Sequence, residues 1–219
     1  DGLVSLTGSG KSASEYMMSS SALTVKDLHV GTDGGKGVLN VDGSSIDVGS
    51  MGYTEDQRTF SLGQGTDSGI AGTGTINILG GGKMMVSGSA YSEGVISAVI
   101  GKNQGNGALN ISGSVVRNGE TIQSQAVFAQ GLEVGVNSGS IGSISVLNGA
   151  SLSTMASNTD ESNISAYIGV DNGSGSVLVS GENSIWKASG HTYIPSETNE
   201  VGHLSIGESG TGSLTVANG

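Results

Sequence analysis

One short pattern recurs seven times in this chain and constrains its fold more than any other feature. Gly, any residue, apolar, any residue, apolar, then Gly soon after, begins at Gly2 (GLVSLTG), Gly37 (GVLNVDG), Gly74 (GTINILG), Gly107 (GALNISG), Gly142 (GSISVLNG), Gly175 (GSVLVSG) and Gly212 (GSLTVANG). The intervals are 35, 37, 33, 35, 33 and 37 residues. A second pattern, apolar-any-apolar-Gly, precedes six of the seven: LHVG, FSLG, AVIG, LEVG, AYIG and LSIG, ending at Gly31, Gly63, Gly101, Gly135, Gly169 and Gly207. A third segment follows the first, with Ile46 and Val48, Met84 and Val86, Val115, Leu152 and Ile185.

Each segment alternates apolar and polar residues, the mark of a strand with one buried face. Each is only four or five residues long, and glycines between them supply the positive φ that tight corners need. A repeat of three short strands cannot bury its apolar side alone, but stacked repeats can. The sequence therefore predicts an all-β, right-handed parallel β-helix (β-solenoid) of about seven coils, one coil of three strands per ~35-residue repeat. One sheet would carry the columns Leu28, Phe60, Ala98, Leu132, Ala166, Leu204 and Val30, Leu62, Ile100, Val134, Ile168, Ile206. A second would carry Val4, Leu39, Ile76, Leu109, Ile144, Val177, Leu214 and Leu6, Val41, Ile78, Ile111, Val146, Val179, Val216. Composition agrees: 40 of 219 residues are Gly, and 35% are hydrophobic. That apolar content separates the chain from Gly-rich linkers and disordered tracts. A run of sandwich domains needs ~100 residues each, which the short period disfavours.

The stretches VLVSGENSIWKASG and LSIGESGTGSLTVANG are similar to the passenger repeats of classical bacterial autotransporters, strongest over 132–219, with Trp186, Leu147-Asn148-Gly149 and Ala217-Asn218-Gly219 where that pattern expects them. The resemblance departs in keeping the Trp in only one repeat and in having longer segments after the third strand. It implies a type V secreted, adhesin-like passenger, extracellular at a Gram-negative cell surface or released from it. The chain starts within a repeat and is expected to be a single β-helix segment, 1–219, of a longer passenger, without the family's membrane barrel.

The net charge is −11, and the eight Lys and Arg are scattered. Nucleic acid and anionic membranes call for a basic patch, so neither is an expected partner, and no run is long enough to insert in a membrane. Cysteine is absent, which removes disulfides and thiolate metal sites. The expected loops are 11–27, 49–59, 87–97, 117–130, 155–166 and 188–203, all leaving the third strand and so projecting from one edge. Tyr16, Tyr53, Tyr91 and Tyr193 lie on or beside them, with His191, and Tyr167 points outward from a neighbouring strand. These six are the candidate binding residues, because Tyr offers a rigid area with a polar tip. The competing reading is that the rings only cover the core and hold the loops down.

Little in the sequence supports catalysis, a cofactor or a metal. Gly65-Thr66-Asp67-Ser68-Gly69 resembles the nucleophile motif of trypsin-like proteases, but a reactive Ser needs a His base, and nothing ties one to Ser68. Asp33, Asn103, Asn137 and Asp171 recur two residues after the strand-ending Gly. They suit turns better than a calcium ladder. The expected function is therefore adhesion: a binding module gripping a host-cell or matrix protein or glycan. The alternatives are homotypic self-association with a second copy, a secreted ligand of a host receptor and, last, a polysaccharide-acting enzyme.

Overall fold

The computed structural model describes residues 3–6, 14–19, 21–49, 60–87, 98–156, 164–190 and 203–218. Every regular element among them is a β-strand, and the strands stack as a β-solenoid with three parallel sheets. The first sheet runs Leu3–Leu6, Asp27–Val30, Phe60–Gln64, Ala98–Lys102, Glu133–Val136, Ile164–Val170 and His203–Ile206. The second runs Ser14–Ser19, Lys36–Asp42, Thr73–Leu79, Asn106–Ser112, Ile141–Leu147, Ser174–Ser180 and Thr211–Ala217. The third runs Ala22–Val25, Ser45–Val48, Lys83–Val86, Gln125–Phe128, Ser151–Met155 and Ile185–Ser189. Neighbours within a sheet come from neighbouring repeats, so the ladder pairs like with like.

The inward columns of the first two sheets follow the repeat pattern from Leu28 and Leu39 onward. Leu28 pairs Phe60 and Val30 pairs Leu62 in the first sheet. Leu39 pairs Ile76 and Val41 pairs Ile78 in the second. These side chains form one continuous buried core, with Phe60 and Phe128 edge to face at 5.6 Å across it. The first and second sheets meet so closely that only glycine fits between them. A Cβ on Gly135 would lie 2.0 Å from the Ser174 carbonyl oxygen, and one on Gly175 would lie 2.3 Å from that of Val134. The glycine at each end of the repeat motifs is thus required by backbone-to-backbone contact, beyond its tolerance of positive φ.

Serines close the second corner, or the first, in several coils, buried at Ser140 and half-buried at Ser184. Ser140 Oγ accepts the Gln104 amide of the preceding coil at 3.0 Å and donates to Val136 O. Ser184 Oγ takes the Gly149 amide at 3.0 Å and donates to Ser180 O at 2.7 Å. A corner amide that would otherwise be orphaned is satisfied by the next coil, which ties the coils together. Asparagines do the same on the surface: Asn77 donates to Asn40 at 2.7 Å and Asn110 donates to Asn77 at 2.9 Å.

Four expectations are corrected. Leu3–Leu6 pairs with Asp27–Val30 and so belongs to the first sheet, which moves Val4 and Leu6 out of the second. Their expected places are taken by Tyr16, opposite Leu39, and Met18, opposite Val41. Residues 11–27 are therefore no single loop, since they hold the strands Ser14–Ser19 and Ala22–Val25. Alternation encodes a strand but not which sheet receives it, and Tyr16-Met17-Met18, three apolar residues in succession, carries no such alternation to mark the second-sheet strand. Val115 lies in an antiparallel hairpin, Ser114–Arg117 with Glu120–Gln123, and the third-sheet strand of that repeat is Gln125–Phe128. Last, Ile185 faces outward beside Ser151, while Trp186 takes the inward position against Leu152.

Candidate binding surface

The hairpin is the described element that breaks the repeat. Its turn is Asn118-Gly119, both at positive φ (53° and 82°), joining Arg117 to Glu120 in the two-residue connection that matches strand twist. At its base Ser124 N donates to Gly113 O at 2.9 Å, so the chain returns to where it left. Ser124 Oγ then accepts the Gly81 amide at 3.1 Å. Elsewhere an undisturbed corner has the form Gly43-Ser44, with buried Ser44 accepting the Ser21 amide at 3.2 Å. Gly113 and Ser124 are the equivalent pair, and residues 114–123 are an insertion between them.

The insertion folds back over the preceding coils. Val115 and Ile122, opposite each other in the hairpin, rest on the corner at Gly81, where a Cβ would lie 2.8 Å from Val115 Cγ1 and 3.1 Å from Ile122 Cγ2. The Arg117 guanidinium reaches Gly43, one coil further on. Between the hairpin and the outward face of the third sheet lies a cleft of about 450 Å³. Thr121, Ile122 and Gln123 form its wall, and Lys83, Gln125 and Ser151 its floor. The floor residues are register partners in consecutive coils, so their side chains stand in a row at the ~4.8 Å strand spacing. One cation, two amides and two hydroxyls beside one aliphatic wall make a set suited to hydrogen-bonding recognition.

The sequence-predicted candidates are not gathered here. Tyr16 lies in the second sheet's first strand and is about half exposed, whereas Tyr167 is a half-buried outward residue of the first sheet. Tyr53, Tyr91, Tyr193 and His191 lie outside the described residues. In the sequence, residues 50–59, 88–97 and 191–202, which carry those four, each fall between a third-sheet strand and a first-sheet strand. The hairpin instead follows a second-sheet strand and precedes a third-sheet strand. Its Asn118-Gly119 turn between alternating residues is a hairpin signal in the sequence. Gly113-Ser114-Val115, however, imitates the corner-plus-strand of Gly43-Ser44-Ser45-Ile46 and masks it.

The remaining polar motifs serve the scaffold. Asp67 accepts from Asn103 Nδ2 at 2.9 Å, and Ser68 Oγ pairs with Thr66 Oγ1 at 2.8 Å. Asp33, Asn103, Asn137 and Asp171 all have positive φ, the turn geometry expected of them. Among the described residues no cluster of three His, Cys, Asp or Glu is placed to hold a metal ion. The outward residues His29, Ser61, Val99, Glu133, Tyr167 and Ser205 stand in register along the first sheet, and Ser61 and Val99 among them are buried. Burial pushes the His29 imidazole below its ordinary value, opposed by the nearby carboxylates of Asp27 and Asp33. Half-buried Trp186 packs against the core and its Nε1 donates to buried Thr154 Oγ1 at 3.1 Å, and buried Ser165 donates to His203 O at 3.1 Å.

No family model, curated protein or solved structure matches this chain.

Proposed function

We propose that this chain is a passenger segment of a bacterial autotransporter, displayed at the cell surface or released from it. In this reading it acts as an adhesin, binding a host-cell or matrix protein or glycan. The observation that carries the reading is the ten-residue hairpin inserted between Gly113 and Ser124 while the strands on both sides keep unbroken register. A rigid ladder that tolerates an insertion, and uses it to roof a polar cleft, is a scaffold presenting a variable surface. Tyr53, Tyr91 and Tyr193, which fall in the sequence between third-sheet and first-sheet strands, are the second set of candidate binding residues. The repeat motifs that resemble autotransporter passengers supply the extracellular setting.

The test is binding of the labelled chain to cultured epithelial and endothelial cells over a concentration series. Two variants accompany it: one joining Gly113 directly to Ser124, and one with Tyr53→Ser, Tyr91→Ser and Tyr193→Ser together. Saturable binding is expected, and one of the variants should lose it while keeping the β-sheet circular dichroism of the parent. Absence of saturable binding by the parent, or binding unaffected in both variants, overturns the proposal.

Homotypic association is a second reading, favoured by the outward face of the second sheet. Val38, Thr75, Ala108, Ser143, Ser176 and Ser213 form one level row of small side chains beside the Asn40–Asn77–Asn110 ladder. The charge of −11 opposes such contact through repulsion. A chain that stays monomeric in sedimentation at high salt removes this reading.

A further inference from the structure

We propose that Asn118 is a site of spontaneous deamidation, selected by the fold from among several Asn-Gly pairs of equal sequence propensity. In this reaction the Gly119 backbone nitrogen, having lost its proton to solvent base, attacks Asn118 Cγ. A C–N bond forms, the Cγ–Nδ2 bond breaks, and the side-chain nitrogen leaves as ammonia. Water then opens the resulting succinimide at either carbonyl, giving aspartate or isoaspartate. No oxidant, reductant or cofactor is consumed. The step requires an unengaged glycine amide, space around Cγ and a backbone that can rotate.

The chain has Asn-Gly at 106–107, 118–119, 148–149, 172–173 and 218–219, and Gly219 lies outside the described residues. Three of the other pairs are locked. Gly107 is buried inside a strand paired on both sides, and a Cβ there would lie 2.3 Å from Leu62 O, so no tetrahedral intermediate fits. The Gly149 amide donates to Ser184 Oγ at 3.0 Å, and Asn148 Nδ2 is itself spent on Ser112 Oγ at 3.1 Å. The Gly173 amide donates to Val170 O at 2.8 Å. Asn118 and Gly119 differ on every count. Both are exposed, a Cβ on Gly119 would meet nothing within 4 Å, and among the described residues no backbone acceptor takes the Gly119 amide. Their hairpin has two strands only, the arrangement least able to hold its turn closed.

The products differ in consequence. Aspartate keeps the positive-φ turn, which Asp tolerates, and adds a charge beside Glu120. Isoaspartate puts one extra backbone atom into a two-residue turn and breaks the Arg117–Glu120 register, which displaces the Thr121–Gln123 wall of the cleft. The chain therefore carries a chemical clock on the one described insertion that roofs a cleft.

The experiment incubates the intact chain at mildly alkaline pH, folded and in urea, and follows each Asn-Gly peptide by mass. Conversion at Asn118 is expected to outpace Asn106, Asn148 and Asn172 by more than ~10-fold in the folded chain, because those sites must open first. In urea the four rates should converge. Comparable rates at all four sites in the folded chain would overturn the proposal, as would an intact Asn118 under conditions where the urea-unfolded chain reacts.

Discussion

Replacing Gly135 with Ala isolates what holds the first and second sheets together. Gly135 has φ +71°, and its Cβ would lie 2.0 Å from Ser174 O, 2.2 Å from Ser174 C and 2.7 Å from Gly175 N. All three are backbone atoms of a strand paired on both sides, so no rotamer change relieves the overlap. The left-handed conformation costs roughly 1–2 kcal/mol for an L-residue, and forcing a methyl into packed space costs about 1–3 kcal/mol more. The expected loss is thus about 2–5 kcal/mol, a large share of a typical domain's total. Gly119→Ala is the matched control, with φ +82° and empty space around the new methyl, so only the conformational cost of about 1–2 kcal/mol remains. Urea unfolding followed by circular dichroism and Trp186 fluorescence reads both variants. Because each coil touches only its neighbours, the Gly135 variant should also broaden the transition as the stack weakens in its middle. Equal losses in the two variants would refute the argument, since sheet-to-sheet contact would then contribute nothing beyond backbone strain.

Three further outcomes follow from the same geometry. Ser140→Ala leaves the Gln104 amide without its acceptor and removes the hydroxyl that donates to Val136 O, and should cost about 1–3 kcal/mol by urea unfolding. Thr154→Val keeps the shape of the core but leaves Trp186 Nε1 without its acceptor, costing about 1–3 kcal/mol and altering Trp fluorescence; an unchanged spectrum and midpoint would remove the internal bond from the account. His29 has a folded pKa below its unfolded value of 6.5, so the unfolded chain binds more protons between the two values. Its contribution to stability is complete above pH ~6.5 and is lost as pH falls toward the lowered folded value. The urea midpoint should drop over that interval in the parent and less so in His29→Gln.

The strands, their alternation and the partners of most inward residues were legible in the sequence, because repeats stack only in register and each repeat carries the same signal. Glycine placement was legible as corners, although the sequence did not reveal that Gly135 and Gly175 face backbone across the core. The failures share a cause. Leu3–Leu6 fits the repeat pattern and Ser14–Ser19 does not, yet hydrogen-bond partners across coils place Leu3–Leu6 in the first sheet and Ser14–Ser19 in the second. Val115 follows a Gly-Ser corner as a third-sheet strand should, but Ser124, ten residues later, is the serine that caps the Gly81 amide. Ile185 and Trp186 are equally apolar, and the choice between them is fixed by Thr154, whose hydroxyl gives the indole N–H a partner inside. Local pattern thus determined that this chain is a stack of short parallel strands. Tertiary contact alone decided which strand is paired with which, where the insertion begins and ends, and which polar side chains line its cleft, because each of those depends on a residue 23 to 43 positions away finding its hydrogen-bonding partner.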